Sequence, residues 1–272
     1  MGVIIGEGKN KGVEIFTNDK KSEGNNVVFA FHGTPLIKFV ADKIWEIEEG
    51  YKTESKVFMP YTSGWTSTMS QARLVEEMDK YYQLTKKDLL AAETIDITAH
   101  SYGPIKALAF LHAIASDKTD GEKILAKVKN LHLYNGLINM EDDENHGVIH
   151  AIKLFIFRIR IFFASFLRGE KDVETPDVVK SLAELERLKD FKPHTLLTYN
   201  PKDAAAPSSE PYMEKVRTEL KQSIKDISVI NDSKVFKYPN SFQHDTGTGI
   251  VERSDTWKEK LKEQEGKMDL TK

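Results

Sequence analysis

Thr94-Ile95-Asp96-Ile97-Thr98-Ala99-His100-Ser101-Tyr102-Gly103-Pro104-Ile105-Lys106-Ala107-Leu108-Ala109 contains a change of hydrophobic period. Up to Thr98 the residues are β-formers bounded by polar sequence; beyond Gly103 the apolar positions Ile105, Leu108 and Leu111 fall at helical spacing. The stretch predicts a buried strand, one sharp turn with Ser101 at its tip, and a helix. Pro104 suits the first helical turn, where no intrahelical N–H donor is needed. Ala99, Ser101 and Gly103 fit a small-x-Ser-x-Gly elbow, whose small flanking residues let the turn close and leave the serine oxygen clear of the sheet. One such match arises by chance roughly 0.2 times in a chain of this length. The strand before it and the helix after it therefore carry the inference. The plainer alternative is a serine whose hydroxyl caps the helix.

Upstream, Gly2 to Gly6 and Val13 to Thr17 flank Lys9-Asn10-Lys11-Gly12 and predict an antiparallel hairpin at a sheet edge. Val27-Val28-Phe29-Ala30-Phe31 is continuously apolar, as a central strand covered on both faces must be, and runs into His32-Gly33-Thr34-Pro35. Ile37, Val40, Ala41, Ile44 and Ile47 predict a helix, and Val57-Phe58-Met59 a strand stopped by Pro60. Thr68 and Gln71 have the spacing of a capping box ahead of Leu74, Val75, Met78 and Tyr82. Downstream, Leu131 to Tyr134, Thr195 to Tyr199 and Val235 to Tyr238 read as strands, with helices over about Pro211 to Val229 and Ser254 to Gln264. This alternation predicts an α/β fold: a mostly parallel eight-stranded sheet with helices on both faces.

About sixty residues separate the strands at Tyr134 and Thr195, more than a crossover helix requires. They contain the most apolar sequence in the chain, Val148 to Leu167. Val148, Ile152, Phe155, Ile159, Phe163 and Phe166 share one helical face, and Lys153, Arg158 and Arg160 lie elsewhere on the wheel. Phe157 to Ile161 also alternates like a strand, but twenty residues exceed a single strand and favour a helix. Its three cations would each cost about 3 kcal/mol at a bilayer centre, which argues against a membrane span. The expected domains are a core of 1–146 and 193–272 with a helical cap or lid at 147–192.

Composition narrows the classes of function. With 39 basic and 42 acidic residues scattered along 272 positions, the net charge is -3 and nothing marks a nucleic-acid partner. The absence of cysteine excludes disulfides, thiolate metal sites and a thiol nucleophile. No His pair or carboxylate cluster has ligand spacing, so neither metal nor other cofactor is expected. Met1 to Gly6 lacks a cationic region followed by a full apolar segment, and Gly6 stands where a myristoylation signal wants Ser or Thr. The expected location is cytoplasmic, or outside the cell by a route without an N-terminal signal.

A serine nucleophile needs a base, an acid to orient that base, and N–H donors for the oxyanion. The loop after Tyr199 carries Asp203, and the loop after Tyr238 carries His244, so Ser101, Asp203 and His244 follow the order Ser, acid, His. Asp142 and Asp143, after the strand at Tyr134, are rival acids.

Over essentially its whole length the chain resembles the α/β-hydrolase superfamily. His32-Gly33-Thr34-Pro35 resembles the family's H-G-x-P oxyanion loop, Ala99 to Gly103 its elbow, Asp203 to Pro207 its D-x-x-x-P acid loop, and His244 its catalytic histidine. The resemblance implies the catalytic residues Ser101, Asp203 and His244, oxyanion donors in the backbone N–H groups of Thr34 and Tyr102, and a cap at 147–192. Ala99 replaces the first elbow glycine, and Asn200 stands where glycine is common. Serine at the elbow argues against the dehalogenase and epoxide-hydrolase branches, which use aspartate there. His32 and His100 resemble positions that support loop geometry. The implied activity is hydrolysis of a carboxylic ester or thioester, lipase- or esterase-like, with an acyl ester or lipid as substrate and peripheral membrane contact through 148–167. The alternative is a catalytically inactive hydrolase-like protein that binds a membrane or a protein partner. Peptidase, acyltransferase and perhydrolase chemistry stay open at this level.

Overall fold

A computed structural model describes residues 2–18, 20–33, 55–61, 69–134, 191–201 and 210–231, with short pieces between 158 and 188. Eight strands form one sheet in the order β1-β2-β4-β3-β5-β6-β7-β8. They are β1 (Gly2–Ile5), β2 (Glu14–Thr17), β3 (Asn26–Phe31), β4 (Lys56–Tyr61), β5 (Thr94–His100), β6 (Val128–Tyr134), β7 (His194–Tyr199) and β8 (Ile227–Asn231). The β1 and β2 pairings are antiparallel, as the hairpin sequence predicts, and the pairings from β4 to β8 are parallel. The described helices are α1 (Gln71–Ala91), α2 (Gly103–Ser116), α3 (Gly121–Leu125), α4 (Val178–Ala183) and α5 (Glu210–Leu220).

The continuous apolar run of β3 is explained by its place between β4 and β5, with Val27 to Phe31 all buried. Successive side chains of a strand point to opposite faces. Val27, Phe29 and Phe31 join the large cluster that α1 and α2 cover, and Val28 and Ala30 join Phe16, Val57 and Met59 behind the sheet. Phe29 and Phe110 bring their ring centroids to 4.4 Å, locking α2 onto β3. α2 is buried from Gly103 to Leu111, so it runs through the core and not along the surface. Val178, Val179 and Leu182 of α4, with Leu188, belong to the same cluster.

Three local expectations need correction, and a fourth lies outside the described residues. β4 runs through Pro60 to Tyr61, because Pro60 pairs with Ile15 of β2 while the ladder to β3 ends at Phe58, before the missing N–H matters. α1 is capped by Ser70 and not by Thr68: Ser70 is extended, and its Oγ accepts from the Arg73 N–H at 3.4 Å. The helix expected over 211–229 stops at Leu220. The last described strand is Ile227–Asn231, parallel to β7; Val235 to Tyr238 lies outside the described residues.

Candidate active site

In parallel α/β sheets the carboxyl ends of the strands face the crevice where ligands bind. β3 and β5 are adjacent there, with Phe31 opposite Ala99 in register, so the residues that follow each strand are forced together. After β5 the chain turns at Ser101 and enters α2 at Gly103. Ser101 has φ 62°, and among the described residues no other non-glycine has a positive φ. For an L-residue this left-handed conformation costs about 1–3 kcal/mol and persists only where the surroundings impose it. The Ser101 N–H donates to the Tyr134 carbonyl at the end of β6 (3.2 Å), anchoring the turn to the neighbouring strand.

Two glycines make the turn possible. A Cβ on Gly103 would lie 1.9 Å from the Phe31 carbonyl oxygen, so β3 and the first turn of α2 approach as closely as their backbones allow. A Cβ on Gly33 would lie 2.8 Å from the Ser101 Cβ and 3.0 Å from its Oγ. The Gly33 backbone is therefore pressed against the serine side chain. Ala99, in the first small position of the elbow, is a buried member of β5 that a Cβ on Gly103 would meet at 3.4 Å.

Ser101 is half-buried, and Tyr102 beside it is buried. The His32 Nδ1–H donates to the Gly33 carbonyl (2.7 Å) across the start of the same loop. Burial, reinforced by the positive charge of Lys106, holds the His32 imidazole down to about 3, so this ring is neutral at pH 7. Behind the elbow lie two ionisable groups that the sequence reading passed over. Lys106 of α2 is 1% exposed and Glu77 of α1 is 6% exposed. Burial lowers the Lys106 ammonium to about 8 against the stabilising charge of Glu77. Burial raises the Glu77 carboxyl, and Lys106, Arg73 and the Tyr81 hydroxyl oppose that rise. Arg73 Nε lies 3.9 Å from Glu77 Oε2, and the Tyr81 hydroxyl lies 3.2 Å from Glu77 Oε1 while donating to the Tyr61 carbonyl at 2.8 Å. Lys106 Nζ stands 5.5 Å from the centre of the Tyr102 ring.

Of the expected site residues, Ser101 and Tyr102 are described, and they sit together with Gly33 and His32. Thr34, Asp203, His244 and the rival acids Asp142 and Asp143 lie outside the described residues. β7 ends at Tyr199 on the same edge of the sheet as Ser101, two strands from β5, and the chain leaves it through buried Asn200 toward Asp203. Among the described residues, no three His, Cys, Asp or Glu are grouped to hold a metal ion, and no helix is long and apolar enough to cross a membrane.

No family model and no curated sequence matches the chain. Solved structures do. Esterase 2 of Thermogutta terrifontis, in a form phosphonylated by sarin, superimposes with TM-score 0.53 at 10% identity over 94% of this chain and 93% of that one. The Pyrococcus furiosus esterase Pf2001 gives TM-score 0.51 at 10% identity over 92% of this chain and 83% of that one. A Burkholderia cenocepacia protein proposed to be an aryl esterase gives 0.50 at 12% identity over 96% of each chain. With the strand order and the serine elbow, these likenesses establish that the chain has the α/β-hydrolase fold.

Proposed function

We propose that the protein is a serine hydrolase that cleaves a carboxylic ester or thioester through an acyl-enzyme, with Ser101 as nucleophile. The observation that carries this reading is the strained Ser101 backbone, at a strand-to-helix turn with Gly33 packed on its side chain. Nothing in helix capping calls for a left-handed serine; exposing its Oγ above a sheet does. In the proposed mechanism His244, oriented by Asp203, takes the Ser101 proton as Oγ attacks the carbonyl carbon. The N–H groups of Thr34 and Tyr102 receive the oxyanion. The protonated His244 passes its proton to the leaving alcohol or thiol, and water, activated by the same histidine, releases the acid and frees Ser101. The Ser101 N–H already donates to Tyr134, which leaves the oxyanion role to the neighbouring peptides.

The esterases named above support ester substrates for this chain, and the sarin adduct of the Thermogutta enzyme suggests the test. A fluorophosphonate probe is expected to label the wild type and to leave Ser101→Ala unlabelled. Labelling that survives the substitution would overturn the assignment. Asp203→Asn is expected to slow acylation by about 10⁴ while the fold persists; the same loss from Asp142→Asn or Asp143→Asn instead would move the acid to the earlier loop.

Within the expected cap at 147–192, whose Val178, Val179, Leu182 and Leu188 pack into the core, the stretch 148–167 is proposed to shelter the acyl chain and to meet lipid. Phe162, Phe163 and Phe166 are 54%, 57% and 69% exposed, and Arg158 is exposed in the same segment. Apolar rings beside cations suit an anionic bilayer surface. Anionic vesicles are expected to raise activity on long-chain esters, and Phe163→Asp to remove that gain while sparing short soluble esters. Absence of any vesicle effect would count against the lipid contact.

A further inference from the structure

We propose that Lys106, buried beneath the elbow with Glu77 as its counter-charge, is a positioning residue for the oxyanion side of the site, keeping the His32–Gly33 turn and Tyr102 in place against Ser101. The inference rests on the serine-hydrolase reading and adds to it a residue outside the Ser, acid, His set. A lysine with 1% exposure in the otherwise apolar stretch Gly103 to Leu111 is costly and needs a reason. Packing alone offers none, since Leu or Met would fill the same space without a buried charge.

Geometry supplies the reason. Nζ lies 5.5 Å from the Tyr102 ring, within range of a cation–π contact with the residue whose N–H faces the oxyanion in the proposed mechanism. The same charge disfavours protonation of His32. A neutral His32 still donates from Nδ1 to the Gly33 carbonyl, and Gly33 in turn touches Ser101. The ammonium thus contacts the Tyr102 side of the proposed oxyanion site directly and reaches the His32–Gly33 side only through its charge. Among the described residues, Glu77 of α1 acts on the Lys106 charge, Tyr102 in the elbow lies under it and His32 after β3 feels it; Arg73, Lys80 and Tyr81 of α1 act on Glu77, and Glu14 of β2 on Tyr81.

Three readouts test the proposal. Lys106→Met is expected to lower kcat on a soluble ester about tenfold or more with KM little changed, a fraction of what losing an oxyanion donor costs. Lys106→Arg, which keeps the charge, is expected to restore most of it. Because the Lys106 ammonium is lowered to about 8, wild-type kcat is expected to fall as pH rises through 8, and Lys106→Arg to lack that alkaline limb. The stability contribution has the opposite sign. A lysine lowered from its ordinary 10.5 destabilises the fold while charged, and relieves that cost as pH climbs from about 8. A melting curve at each pH separates the fall in kcat from unfolding, and Lys106 itself is expected to firm the fold across that window. The third readout needs no turnover: the His32 ring, followed by NMR, is expected to stay neutral to about pH 4 in the wild type and to titrate about one unit higher in Lys106→Met.

Unchanged kcat in a folded Lys106→Met, or an alkaline limb that persists in Lys106→Arg, would overturn the proposal. If Lys106→Met does not fold, the wild-type and Lys106→Arg profiles decide. Wild-type Ser101 that resists the fluorophosphonate would overturn the hydrolase reading and the catalytic half of this proposal; the His32 titration would still report whether Lys106 conditions the turn.

Discussion

The two ends of the parallel sheet use polar residues in opposite ways. At the amino end, the Asn26 side-chain amide donates to Asp96 Oδ2 (2.9 Å) and Ser55 Oγ (3.1 Å), Asn130 donates to Asp96 Oδ1 (2.7 Å), and Thr94 donates to Asn26 Oδ1 (2.9 Å). Three strands and the residue that enters β4 are stitched there around one carboxylate, without any left-handed residue, although the β5–β6 register shifts at Ile95/Asp96. Lys127 closes the same end by donating to the Ala92 carbonyl just beyond α1 (2.8 Å). At the carboxyl end lie a left-handed serine, two glycines where a Cβ would press on Ser101 or on the Phe31 carbonyl, and a buried lysine and glutamate displaced from their ordinary titration ranges. One end spends polar chemistry on cohesion, and the other stores strain and charge. Such strain is what functional sites impose on a fold that the remaining structure must hold together.

Four substitutions sharpen or break this contrast. The largest effect is expected at the strained end: Ser101→Ala should lower turnover by several orders of magnitude, leaving only the contribution of binding and the oxyanion donors, with the melting temperature nearly unchanged. Parallel loss of activity and fold would mean that the serine is structural. Gly103→Ala comes next, because its methyl group would meet the rigid Phe31 carbonyl; a loss of about 3 kcal/mol or more in denaturant unfolding is expected. Near-wild-type stability would show that α2 can move off β3. Asp96→Ala leaves the Asn26 and Asn130 amides without their acceptor and should cost about 1–3 kcal/mol, with activity per folded molecule intact. A fall in kcat at constant stability would tie the two ends together. The smallest effect belongs to Lys56→Met. Its 2.6 Å pair with Asp88 is partly solvated, and about 0.5 kcal/mol is expected, fading as salt is added.

Much of this contrast can be read from the chain. The change of period around Ser101 places strand, turn and helix correctly, and the apolar run Val27 to Phe31 marks a central strand. Both signals are local, and local periodicity survives in a single sequence. The eighth strand was illegible for a definite reason: Ile224, Ile227 and Ile230, all buried, stand three residues apart, so a turn followed by a strand mimics a continuing helix. Pro60 misled because a proline ends only the ladder that needs its N–H. Lys106 and Glu77 did leave a trace. Each is a lone charge on an apolar stripe, Glu77 among Leu74, Met78 and Tyr81, and Lys106 within an otherwise apolar Gly103 to Leu111. That the two belong to one buried cluster depends on α1 packing against α2, which no spacing within either helix records.

The strand order also imposes a sequence of events on the newly made chain. β3 is synthesised before both of its neighbours, β4 and β5, and Asn26 finds its partner Thr94 sixty-eight residues later. A strand flanked by two later strands must wait, its edges open, while a loop of that length closes, and loops of that length make folding slow. Gly33 can therefore take its place only once the strand bearing Ser101 has emerged and paired. The strand that leads into Ser101 covers the second edge of β3, so a ribosome-bound fragment ending before Thr94 exposes that apolar edge to whatever chaperone or neighbouring chain meets it first.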